Sequence, residues 1–192
     1  MQILNNNHDK LVKKINDILT LIKNEPKKFE SVFTELFHQD FEKELNYINS
    51  LDTGFLKGLV ISVKDLFDVK GYKTRGGSKF LGGPAKTKDA DCIALIRKSG
   101  GLLLGHTNMT ELAYSGLGIN PHYGTPDNPV YKGSIPGGST SGGAVSIALN
   151  IADITIGTDT GGSTRIPAAF TGITGFKPTQ DNISRVGCLT LS

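Results

Sequence analysis

The chain has 192 residues, with 21 basic and 18 acidic side chains scattered along it, and its net charge of +3 is too small to argue for nucleic acid or a membrane surface as partner. Its two cysteines, Cys92 and Cys188, do not make a disulfide framework, and its four histidines show no metal-ligand spacing, so neither a disulfide scaffold, a metal nor another cofactor is expected. There is no basic-then-apolar leader pattern at the N-terminus, and no apolar run reaches the ~18 residues of a membrane span, so one domain in the cytoplasm is the expectation.

Residues 9–49 are charged and helical in period. Leu11, Ile15, Ile18, Leu19 and Ile22 form one apolar stripe, and Phe29, Phe33, Leu36, Phe37 and Phe41 form another. Pro26 would open the second helix, because its missing N–H is harmless in a first turn. The spacing therefore predicts an N-terminal helical segment over residues 1–50, two amphipathic helices packed on the remainder of the fold. From residue 54 the pattern changes to alternating strands and helices. Short buried strands are predicted at 59–63, 102–104 and 154–156, and helices at 91–98 and 143–150. The stretch 116–136, rich in Gly, Pro and Asn, reads as a long ordered loop. The expected fold class is α/β, a mixed sheet layered by helices, with the core over 54–192.

Chemistry concentrates in three segments. Gly137-Gly138-Ser139-Thr140-Ser141-Gly142-Gly143 and Gly157-Thr158-Asp159-Thr160-Gly161-Gly162-Ser163-Thr164-Arg165 are glycine turns bearing hydroxyls, and Val63-Lys64-Asp65 lies upstream. Runs of glycine let successive N–H groups point into one concavity, and a serine closing such a run sits beside ready-made oxyanion donors. Ser163, with the N–H groups around Thr160, Gly161 and Gly162, has that arrangement in prospect; losing one such donor typically costs about 10²–10³ in rate. A serine hydroxyl needs a base. Neither turn fits the Gly-x-Ser-x-Gly elbow that works with histidine. Lys64, at the end of an apolar strand, can serve instead if burial lowers its pKa.

These residues carry a resemblance to the amidase signature family, from about Gly58 to the end of the chain. Pro136-Gly137-Gly138-Ser139-Thr140-Ser141-Gly142 is similar to that family's first serine segment, and Gly157 to Pro167 to its core motif. The separation of the two serines, 163 − 139 = 24, agrees as well. Ile61-Ser62-Val63-Lys64-Asp65, Gly105-His106-Thr107-Asn108-Met109-Thr110-Glu111 and Gly175-Phe176-Lys177-Pro178-Thr179 match further landmarks. Thr140 and Gly143 depart from the commonest family residues, the first keeping a hydroxyl.

The resemblance implies a Ser-cisSer-Lys triad with Ser163 as nucleophile, Ser139 as the bridging serine in a cis peptide and Lys64 as base. It implies hydrolysis of a small-molecule carboxamide through an acyl-enzyme, with N-terminal helices that cover the core or support dimers. Relatives of that family run much longer, so the chain is expected to be its N-terminal part, lacking most of the substrate pocket. Asp159 and Arg165 are read as a salt bridge steadying the turn, and His106 and His122 as ordinary loop histidines. Two alternatives stand beside the stand-alone amidase. One is the glutaminase subunit of a tRNA-dependent amidotransferase, working with partner subunits and making no direct nucleic-acid contact. The other is an inactive fragment or a non-catalytic binding module; in the module the glycine turns would hold a phosphate or nucleotide, against which the absence of a P-loop or Gly-x-Gly-x-x-Gly pattern counts.

Overall fold

The computed structural model describes residues 2–190, with side chains from His8 onward. Helix α1 (Gln2–Asn24) buries Leu11, Ile15 and Ile18, the i, i+4, i+7 face expected of an amphipathic helix. On its polar side Lys14 reaches Asp153 at 2.5 Å, a half-exposed pair that contributes little by itself.

The second predicted helix is not there. Pro26 opens only one turn, α2 (Pro26–Phe29), after which the chain straightens into strand β1 (Phe33–Leu36), makes a 3₁₀ turn at His38–Asp40 and enters α3 (Phe41–Ser50). Phe29, Phe33, Phe37 and Phe41 are all buried, so the apolar pattern marks the right residues while the period misleads. A cross-strand partner overrides it. β1 runs antiparallel to a later strand, pairing Phe33 with Thr107, Glu35 with His106 and Leu36 with Gly105. A Cβ at Gly105 would stand 2.5 Å from the Glu35 carbonyl oxygen, so that glycine is what lets the two backbones approach. The segment 1–50 is thus sewn into the sheet and is not a purely helical cover.

Beyond residue 54 come β2 (Val60–Lys64), α4 (Asp91–Lys98), β3 (Leu102–Thr107), α5 (Ser141–Ala148), β4 (Ile154–Ile156) and α6 (Arg165–Thr171). The sheet order is β1-β3-β2-β4, with β1 antiparallel and the other three parallel, a mixed sheet as expected. Each parallel pair is joined by a crossover that carries a helix. Every residue of β2 and β3 is buried, whereas β4 is a half-buried edge. β3 continues three residues past its predicted end, through Gly105, His106 and Thr107, and α5 starts two residues before its predicted start.

Residues 114–140 hold no regular element, yet the stretch is ordered by two buried asparagines. Asn120 donates through its amide to the carbonyls of Gly77 and Met109, both at 2.7 Å, and accepts from the N–H groups of His122 and Tyr123. Asn128 does the same with the Ile135 and Phe170 carbonyls and the N–H groups of Val130 and Tyr131. Each amide uses two donors and two acceptor sites, its full capacity.

Candidate active site

Lys64 is the last residue of β2, and its side chain is fully buried. Its carbonyl accepts the N–H groups of Leu66 at 2.7 Å and Phe67 at 3.1 Å, so the chain turns sharply behind it. Nζ donates to Ser139 Oγ at 2.7 Å and to Thr158 Oγ1 at 2.9 Å. Loss of water disfavours the ammonium and brings the pKa down from 10.5 to about 7, against the smaller opposing pull of Cys188 and Asp159. An amine so poised carries a proton about half the time near neutrality.

The Ser139 turn is built on close approach. Gly137 has φ +74°, and a Cβ there would stand 3.1 Å from Pro167 Cα, in the first turn of α6. A Cβ on Gly138 would stand 2.6 Å from the Gly118 nitrogen and 2.8 Å from Thr110 Oγ1. The Gly138 N–H donates to the Gly116 carbonyl at 2.8 Å, and the Ser139 carbonyl accepts from Thr110 at 3.1 Å. The Gly138–Ser139 peptide bond is cis. One residue on, the Thr140 N–H donates to the Ser163 carbonyl at 3.1 Å, which brings the two serine turns together.

The second turn is organised by Asp159. Its carboxylate accepts from the N–H groups of Gly162 at 2.9 Å, Thr164 at 3.2 Å and Arg165 at 3.3 Å, and from the Arg165 guanidinium at 2.9 and 3.0 Å. The Arg165 bonds, reinforced by those N–H groups, hold the carboxyl down at about 2. Gly162 therefore differs from its expected role: its N–H is already committed to Asp159. The N–H groups of Thr160, Gly161 and Ser163 have no acceptor among the described residues. The Ser163 hydroxyl likewise makes no hydrogen bond among them.

Thr158 escaped the sequence reading although it lies inside the core motif. The signal was topological: β4 runs parallel beside β2 with Ile156 opposite Val63, so a residue just past the end of β4 falls next to Lys64. His106 is not a loop residue but sits on β3, fully buried, while His122 pairs with Glu111 at 2.9 Å. Neither histidine bonds to Lys64, Ser139 or Ser163 among the described residues. Nor, among those residues, do three or more His, Cys, Asp or Glu side chains gather to hold a metal. Cys92 is buried in α4 and Cys188 is half-buried, both as free thiols. Alongside Thr158 and Thr160 opens a cavity of about 490 Å³, walled by Leu66, Phe67, Ile156 and Phe176.

The family model described as Amidase matches residues 14–192. The chain belongs to the amidase family. Amidase 1 of Arabidopsis thaliana is 46% identical over 134 residues, covering 69% of this chain and 32% of that protein. Indoleacetamide hydrolase of Pseudomonas savastanoi is 42% identical, over 71% of this chain and 30% of its own length. A glutamyl-tRNA(Gln) amidotransferase subunit of Methanococcus maripaludis is 38% identical over 93% of this chain and 42% of its own. Among solved structures, a crystal structure of an amidase superposes with a TM-score of 0.85 at 35% identity, covering 98% of this chain and 44% of that one. The peptide amidase of Stenotrophomonas maltophilia follows with a TM-score of 0.83, 30% identity and coverage of 93% and 39%. The chain thus spans less than half the length of these amidase-family proteins.

Proposed function

We propose that the chain carries the reaction centre of an amidohydrolase, with Lys64 as base, Ser139 as proton relay and Ser163 as nucleophile. The observation that supports it most is the 2.7 Å bond from a fully buried Lys64, its pKa lowered to about 7, to a serine whose neighbour is bonded to the Ser163 backbone. In this reading the Ser163 hydroxyl, unbonded among the described residues, turns onto Ser139 Oγ; neutral Lys64 then takes the Ser139 proton as Ser139 takes the Ser163 proton, and Ser163 Oγ attacks the amide carbon. The oxyanion that forms is met by the uncommitted N–H groups of Thr160, Gly161 and Ser163. The protons return by the same path to the departing nitrogen, which leaves as ammonia or an amine. Water then repeats the sequence on the acyl-Ser163 ester and releases the carboxylate. A fluorophosphonate probe tests this in the chain itself: the adduct should map to Ser163 and disappear in Ser163→Ala. An adduct at another residue, or none on a folded chain, defeats the reading.

A second reading uses the same chemistry. The amidotransferase subunit that matches 93% of this chain supports a glutaminase delivering ammonia to partner subunits. Glutamine hydrolysis that rises only when tRNA and such partners are added favours it, and steady hydrolysis of simple carboxamides by the unaccompanied protein favours the stand-alone amidase. A cytoplasmic setting belongs to either version of the proposal.

A further inference from the structure

Directly after Lys64 comes Asp65, whose side chain is also fully buried. Its carboxylate accepts the N–H groups of Arg75 at 3.2 Å and Gly77 at 3.3 Å, its carbonyl accepts that of Gly76 at 2.6 Å, and its own N–H donates to the Thr107 carbonyl at 3.2 Å. On the adjacent strand β3 stands His106, opposite Val63 and without solvent exposure. Its Nε2 lies 3.1 Å from the carbonyl oxygen of Phe67. A carbonyl only accepts, so Nε2 must carry a hydrogen, and in a neutral ring Nδ1 is then a bare lone pair. Nδ1 faces Asp65 Oδ1 at 3.5 Å and has no hydrogen-bond partner among the described residues. A lone pair turned on a carboxylate, away from water, is an unrelieved repulsion. One proton between the two atoms relieves it, whichever of them carries it.

We infer that Asp65 and His106 hold one proton between them at neutral pH and act as a positioning pair for Lys64. The pair staples the turn that leaves the lysine: His106 fixes the Phe67 carbonyl, Asp65 fixes the 75–77 turn, and Lys64's own carbonyl is bonded to the N–H groups of Leu66 and Phe67 between them. The other charged groups facing the pair have commitments of their own. Arg75 is bonded to Glu35 at 2.6 Å, Glu35 being the register partner of His106 on β1, and Asp68 is paired with Lys86 at 3.1 Å. Burial pushes Asp65 up to about 6 and His106 down to about 4, the directions that favour a carboxylic acid beside a neutral imidazole. With the proton the pair is neutral. Without it, the carboxylate and the Nδ1 lone pair repel and the turn behind Lys64 loses its staple.

The effect on catalysis rests on the proposed role of Lys64, whereas the proton does not, and the experiment separates them. In the isotopically labelled chain at pH 7, nitrogen NMR should show His106 Nδ1 protonated or hydrogen-bonded, with no titration step between about pH 5.5 and 7.5. A bare, unbonded Nδ1 beside an ionised Asp65 carboxyl overturns the shared proton. In Asp65→Asn an amide nitrogen at the Oδ1 position can donate to Nδ1 while the amide oxygen still accepts from Gly77, the Arg75 contact being given up, so the His106 signals should stay bonded. Fluorophosphonate labelling of Ser163 should slow at least about tenfold in Asp65→Ala and recover in Asp65→Asn, as expected when a misplaced catalytic group is restored. Equal rates in both variants and the parent chain overturn the positioning role. If the parent chain is not labelled at all, the catalytic reading fails and the NMR result decides the proton alone.

Discussion

Lys64 and Ser139 are in direct contact, Nζ to Oγ at 2.7 Å, although 75 residues separate them in the chain. One sits at the end of a central strand and the other just before helix α5, and both are fully buried. An ammonium has no water there, so its protonation is coupled to folding. Between pH 7 and 10.5 the unfolded chain keeps a Lys64 proton that the folded chain has released. Stability from this group therefore rises with pH across that window, by up to about 1.4 kcal/mol per pH unit, and is least below pH 7. Chemical denaturation of the parent chain and Lys64→Met should diverge with this slope between about pH 7.5 and 9.5. Parallel curves would show that Lys64 is not held in a depressed state.

Gly138 is packed too tightly to accept a side chain. A methyl group there meets the Gly118 nitrogen at 2.6 Å and Thr110 Oγ1 at 2.8 Å, both parts of the loop that seats Ser139. Gly138→Ala should move that seat, destabilising the fold by about 1–3 kcal/mol and slowing Ser163 labelling by about 10²-fold. Near-parental labelling would mean that the loop yields without disturbing Ser139.

Thr158 is the second acceptor of the Lys64 amine, at 2.9 Å. A hydrogen bond to the charged form favours it, so its removal lowers the lysine pKa further. Thr158→Val should shift the acidic limb of the labelling rate to lower pH and reduce the plateau by about tenfold, while Thr158→Ser keeps both. An unshifted limb in the valine variant would leave the contact without electrostatic consequence.

The two serine turns and the lysine strand are legible in the sequence because glycine, hydroxyl and apolar residues occur there in an order that few structures require. β2, α4 and β4 are legible for a simpler reason: their apolar runs are short and flanked by turn residues. What hides the rest is tertiary. Phe33 and Leu36 satisfy a helical period that a partner strand overrides, and the end of β3 is masked by Gly105 and His106, which serve close approach and a buried polar contact. Ser141, Gly142 and Gly143 are poor helix formers that open α5 because the Thr140 and Gly142 N–H groups are tied to the Ser163 and Asn108 carbonyls. Local propensity contains none of these contacts, nor the turn of Gly162 toward Asp159.

Asn120 offers a test of how the long loop is held. Asn120→Ala removes four hydrogen bonds at one buried point and leaves the Gly77 and Met109 carbonyls without that donor. The expected cost is about 2–4 kcal/mol, more than a cavity of that size accounts for, because buried acceptors lose their partner. Denaturant titration of Asn120→Ala against Asn120→Asp separates the two halves of the clamp. The carboxylate keeps the acceptor side toward His122 and Tyr123 but loses both donors. Equal, small losses in the two variants would show that the loop is held elsewhere.

Asp159 and Arg165 should separate in the same way. Arg165 is 55% exposed, so its pair with Asp159 is screened by water and contributes at most about 1 kcal/mol. The carboxylate, only 3% exposed, also gathers three backbone N–H groups. Because the folded-state pKa of Asp159 is lowered from 3.8 to about 2, its contribution is present above pH 3.8 and fades as pH falls through about 2. Arg165→Ala should raise that carboxyl and lose stability, at most about 1 kcal/mol, above pH 3.8, the difference from the parent chain vanishing as pH falls through about 2, with Ser163 labelling near the parental rate at neutral pH. Asp159→Ala should release the N–H of Gly162 and loosen the whole turn, slowing labelling about 10²-fold at neutral pH. If Arg165→Ala slows labelling as strongly as Asp159→Ala, the guanidinium does more than steady the turn, and contact with the substrate becomes its better explanation.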